Sequence, residues 1–100
     1  MIKHIVMWKL KDSYDGHTAE ENGLKMQEML MSLDGQIPEL KKIHVSTTIK
    51  ESNPECDVVL DSEFDSIDDL SAYANHPKHV ACVSFIKSVV ENRYVVDYEI

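Results

Sequence analysis

Two periodicities alternate along this chain, and their order leaves few folds open to it. Ile2, His4, Val6, Trp8 and Leu10 recur at every second residue with Lys3, Ile5, Met7 and Lys9 between them, the pattern of a strand with two unlike faces. Thr18-Ala19-Glu20-Glu21 then has the form of a capping box, in which Thr18 bonds a free amide and Glu21 reaches back. Met26, Met29, Leu30 and Leu33 follow at helical spacing, and Gly35 and Pro38 supply the stop. Alternation returns in Ile43, Val45, Thr47 and Ile49. After the polar loop from Lys50 to Glu55 it resumes over Cys56–Phe64, where Val58, Leu60, Ser62 and Phe64 oppose Asp57, Val59 and Asp61. Ser66 caps a short helical segment running through Tyr73, Pro77 breaks it and starts a second, and His79, Val83, Ile86 and Val90 form one inward stripe there. Tyr94, Val96, Tyr98 and Ile100, alternating with Val95, Asp97 and Glu99, make the last strand.

The order β-α-β-β-α-β is that of the split βαβ, or ferredoxin-like, α+β fold, with the helices on one face of a four-stranded antiparallel sheet. Residues 1–100 are read as one domain, since no repeat, linker or low-complexity tract interrupts them. The sheet's other face is expected to carry Ile5, Met7, Val59 and Val95 at its centre, with Lys3, Asp57, Asp61 and Asp97 around them. A chain this short buries a modest share of its surface alone, and an apolar band of that kind marks an association surface, so a homodimer built through the sheet faces is expected.

Charge narrows the partners. Ten Lys and Arg against eighteen Asp and Glu give a net charge of −8, which opposes nucleic acid and anionic membrane surfaces. No apolar run reaches the roughly 20 residues that cross a bilayer. Lys9 and Lys11 interrupt the N-terminal apolar stretch before a signal-peptide core forms, so a cytoplasmic protein is expected. Cys56 and Cys82 stand apart in apolar segments, where reduced, buried thiols are expected.

The densest group of chemically able side chains is Tyr73-Ala74-Asn75-His76-Pro77-Lys78-His79. Histidine exchanges protons near neutral pH, and a tyrosine hydroxyl can hold or polarise a carbonyl. The first strand's helix-facing side brings His4 towards the same interior as His79, beside Val6 and Trp8, so a mixed apolar and polar pocket between sheet and helices is expected. His76 before Pro77 reads as a cap or turn residue. His76 and His79, three apart, are too few for a tetrahedral metal site, and the acidic residues from Asp61 to Asp69 read as a solvated rim; neither metal nor cofactor is expected.

The opening Met1-Ile2-Lys3-His4-Ile5-Val6, the central Gln36-Ile37-Pro38, the turn Phe64-Asp65-Ser66, Tyr73 with His76-Pro77-Lys78-His79, and the closing Val96-Asp97-Tyr98 resemble, over nearly the whole chain, the stress-responsive α/β-barrel (Dabb) family. The resemblance implies a dimeric α+β barrel. It also implies, from one plant branch, a cofactor-independent polyketide cyclase in which His79 is the general base, Tyr73 the hydroxyl that holds the substrate and His4 a pocket residue. Val58 stands where that branch has a further histidine, and Gln27 and Leu30 where it has aromatic residues. The expected substrate-binding lining is His4, Val6, Trp8, Met26, Leu30, Val58 and Leu60, around a small hydrophobic carbonyl ligand.

Two functions therefore stand side by side. One is a small-molecule binding protein with cyclase- or lyase-like proton transfer. The other is a non-catalytic, stress-associated oligomer in which His79 is a satisfied core histidine and Tyr73 a packed ring. An enzyme requires an open cavity reaching Tyr73 and His79; the structural protein would have that space filled.

Overall fold

The computed structural model describes residues 1–100. The chain runs β1 (Ile2–Leu10), β2 (Ser13–Tyr14), β3 (His17–Thr18), α1 (Ala19–Met31), β4 (Lys42–Ser46), β5 (Val58–Phe64), α2 (Ile67–Asn75), α3 (Pro77–Val89) and β6 (Val90–Glu99). Four strands form one antiparallel sheet in the order β4-β5-β1-β6, and β2 pairs with β3 in a separate small hairpin that the alternation pattern does not announce. The ferredoxin-like α+β order is thus the order observed.

Local chemistry explains the helix limits. Thr18 accepts from the Glu21 amide while the Glu21 carboxylate accepts from the Thr18 amide, so both halves of the capping box are present at α1. That helix ends at Met31, ahead of Gly35, whose φ of +78° serves the following turn. Ser66 caps α2 by accepting from the Asp69 amide at 3.1 Å. His76 ends α2 and caps α3, its Nδ1 accepting from the Lys78 amide at 3.1 Å, and Pro77 fills the first position of α3, where a missing amide costs nothing.

The core lies between the sheet and the helices. Trp8, Leu10, Met26, Leu30, Leu60, Phe64 and Tyr73 are all buried there, so the inward faces of β1 and β5 meet the α1 and α2–α3 stripes as their periods require. Val90, read as the last member of the helical stripe, instead opens β6, and Val89 takes the buried place; nothing but a backbone turn at 90 separates helix from strand.

The register of β6 corrects one expectation. Val95 pairs with Val6 and Asp97 with His4, so both lie on the helix-facing side of the sheet. The residues that share the outer face with Ile5, Met7 and Lys3 are Val96, Tyr94 and Tyr98. Alternation along β6 is as read, but its phase relative to β1 depends on pairing, and a one-residue change of phase exchanges the two faces. Val59, opposite Met7, and Asp61, opposite Ile5, are on the outer face as expected, and Lys3 bridges Asp61 and Glu63 there, each at 3.1 Å.

β6 lies at the sheet's edge, and every residue from Glu91 to Glu99 is exposed, Tyr94, Val95, Val96 and Tyr98 among them. A long, apolar, unpaired edge is a surface that folded proteins cover. No helix is long and apolar enough to cross a membrane.

Candidate active site

A cavity of about 310 Å³ opens between the sheet and the helices. The strands β1 and β5 supply His4, Val6, Trp8 and Leu60, α1 supplies Leu30, α2 supplies Tyr73 and α3 supplies His79. Met26 and Val58, expected in the lining, are not in it. Both are fully buried, and Val58 lies under α1, its Cγ2 standing 3.4 Å from where a Cβ on Gly23 would be. Close approach of that helix at Gly23 closes over Val58 and leaves it as packing.

The remaining lining residues are Val83, Ile86, Lys87 and Arg93. Val83 and Ile86 belong to the stripe that carries His79, so the helical period already held them. Arg93 enters because β6 pairs it with Trp8 across from the helices, a matter of register that the sequence does not display.

Rings step through the site. Phe64 and Tyr73 have centroids 5.0 Å apart, Tyr73 and His79 4.5 Å, and His4 meets the edge of Phe64 at 6.4 Å. His4 Nδ1 is bonded to the Asp97 carboxylate, so the histidine is held by the residue opposite it in the sheet. His79 Nδ1 lies 3.0 Å from the Ala74 carbonyl oxygen. A carbonyl only accepts, so Nδ1 carries the proton of the neutral ring and Nε2 keeps the lone pair. Tyr73 is 2 % exposed, yet its hydroxyl makes no hydrogen bond to the chain and is not among the fully enclosed polar atoms without a partner. The fully enclosed ones are Trp8 Nε1 and Asn22 Nδ2.

Electrostatics set the two central groups in complementary states. Burial lowers the pKa of His79, the Ala74 bond works in the other direction, and charge interactions with His4 and Arg93 add to the lowering. Burial pushes the Tyr73 phenol up, with a contribution from Cys82. At neutral pH the pair is therefore an unprotonated base beside a protonated hydroxyl, the combination needed to remove a proton next to a carbonyl and to hold the resulting oxyanion.

The other candidates stand elsewhere. His76 is occupied as a helix cap, His17 faces Glu21 on the surface at 3.8 Å, and His44 is exposed on β4. No three of the His, Cys, Asp and Glu side chains gather as metal ligands. Cys56 and Cys82 are free and buried, and burial pushes the Cys82 thiol up.

Fold and site together define a class: a ferredoxin-like α+β protomer with a small cavity that holds a tyrosine and a histidine between sheet and helices. The chain belongs to the stress responsive A/B barrel domain (Dabb) family, whose model matches residues 2–100. An uncharacterised protein of Streptomyces coelicolor is 30% identical over 99 residues, 99% of each chain. A Bacteroides fragilis protein of unknown function, described as dimeric with a ferredoxin-like fold, is 35% identical with a TM-score of 0.80, over 99% of this chain and 95% of that one. The hydroxynitrile lyase of Passiflora edulis superposes with a TM-score of 0.79 over 97% of this chain and 90% of its own, at 17% identity, a likeness of fold alone.

Proposed function

We propose that this protein is a homodimer whose cavity binds a small carbonyl compound and catalyses proton transfer beside the carbonyl, without a cofactor. The observation that carries the reading is the pairing of Tyr73, whose hydroxyl bonds to nothing in the chain, with His79, whose Nδ1 is committed to Ala74, on one cavity wall. Nε2 of His79 takes a proton from the carbon next to the carbonyl. The C–H electron pair moves into the enolate, and the Tyr73 hydroxyl donates to the oxygen that gains the charge. The enolate carbon then either attacks a second carbonyl of the same molecule, closing a ring as that carbonyl's π pair becomes an alkoxide which takes the proton from His79, or itself recovers the proton from His79.

Dimerisation is supported by the exposed edge strand β6, by Ile5, Met7, Val59, Tyr94 and Val96 on the uncovered outer face, and by the dimeric state of the Bacteroides relative. The reading as a purely structural oligomer draws on the same edge strand, but it does not account for an open cavity at Tyr73 and His79.

The test is exchange of α-protons into deuterated water, followed by NMR, for a panel of 1,3-dicarbonyl compounds. Acceleration over buffer, lost in His79→Gln and reduced about 10²-fold or more in rate, supports the reading. Equal exchange with wild type and His79→Gln across the panel overturns it.

A further inference from the structure

The cations of this chain are few, and most are engaged. Lys3 bridges Asp61 and Glu63, Lys9 bridges Glu55 and Asp57, Lys41 meets Asp65, Lys78 bonds Gln36, and Lys11 and Lys25 lie over Tyr14 and Phe85. Lys87 and Arg93, the chain's one arginine, form no ion pair, and both line the cavity. They flank the junction of α3 and β6. Lys87 is two helical turns beyond His79, about 12 Å along the axis. Arg93 is paired with Trp8, four residues, or about 13 Å of strand, from His4. Lys87 therefore enters from the end of the site away from His79, while the Arg93 side chain also borders the adjoining depression with His4, Tyr73 and His79.

No acidic residue lines the cavity. Asp97, which borders the adjoining depression with Arg93, is taken up by His4. In a protein with a net charge of −8, an apolar cavity whose only fixed charges are two unpaired cations selects for a negative group. A guanidinium fork suits a carboxylate, and a single negative charge costs less to bring to an apolar wall than a phosphate's two.

We infer that the cavity takes an organic carboxylate, with its apolar body against Val6, Trp8, Leu30 and Ile86 and its carboxylate at Lys87 and Arg93. This rests on the cavity being the ligand site, as proposed above, and it narrows the carbonyl substrate to a keto acid or aryl acid. The reacting carbonyl lies at Tyr73 and His79, with Lys87 two helical turns from the base and Arg93 bordering both.

Trp8, the chain's one tryptophan, lies in the wall and reports occupancy by its fluorescence. The probes are 4-tert-butylbenzoate and its neutral isostere 4-tert-butylbenzamide, titrated into wild type, Lys87→Gln and Arg93→Gln. Both substitutions are at exposed positions, and the oligomeric state of each variant is measured in parallel. The expected result is benzoate binding about tenfold tighter than the amide, an advantage that shrinks several-fold in each variant and with added salt. Equal affinity for the two probes overturns the carboxylate assignment while leaving the cavity as a ligand site. Binding of neither probe overturns the assignment and the cavity reading together. Unchanged preference in both variants, with a shift in dimer dissociation instead, assigns the two cations to the partner protomer and overturns the inference.

Discussion

Removing one oxygen from Tyr73 separates a packed ring from a working hydroxyl. The ring is buried to 2 % exposure against Phe64 and His79, and the oxygen bonds to nothing in the chain. Tyr73→Phe keeps the ring and its contacts, so its cost in stability should be within about 0.5 kcal/mol of zero. Tyr73→Ala removes the ring and leaves a void between β5 and α3, which costs about 3–5 kcal/mol, a large part of the total stability of a small domain. Urea unfolding followed by Trp8 fluorescence and far-ultraviolet circular dichroism, at one fixed protomer concentration, measures both. In thermal melts the Phe variant should stay within a few degrees of wild type, since about 1 kcal/mol shifts the midpoint by roughly 4–8 °C in a domain of this size. The same Phe variant should lose most of the α-proton exchange. A loss of more than about 1.5 kcal/mol in Tyr73→Phe would refute the reasoning, because a cost of that size means the hydroxyl has a structural partner.

Acidification gives a second test. The folded-state pKa of His79 is below its ordinary value of 6.5, so the unfolded chain takes up the proton first; stability from this group is full above about pH 6.5 and falls as pH drops towards the folded value. His79→Phe should flatten that part of the stability curve, and an unchanged slope between pH 7 and 5 would refute the assignment. Light scattering over a dilution series should give twice the chain mass of 11.4 kDa, and a folded monomer at micromolar concentration would end the dimer proposal. Cys56 and Cys82 should react slowly with a thiol reagent in the native protein and quickly after unfolding, since both are buried and burial disfavours the Cys82 thiolate; fast labelling of the folded protein would contradict this.

The sequence by itself determined the order of the main strands and helices and the alternation within each. Alternation placed His4, Val6 and Trp8 on one side of β1, the helical period placed His79 with Val83 and Ile86, and capping residues marked where the helices begin, because these patterns arise from backbone geometry within a few residues. Pairing and approach between distant elements decided the rest. Whether Val95 or Val96 shares a face with Ile5 depends on the register of β6 against β1, and the same register carries Arg93 to the cavity beside Trp8. Whether Val58 lines the site depends on how closely α1 settles at Gly23. The polar state of the site is likewise tertiary. The tautomer of His79 follows from a carbonyl five residues back that the α2–α3 break brings to its ring, and the cations at Lys87 and Arg93 are free only because no carboxylate of this acidic chain folds within reach of them.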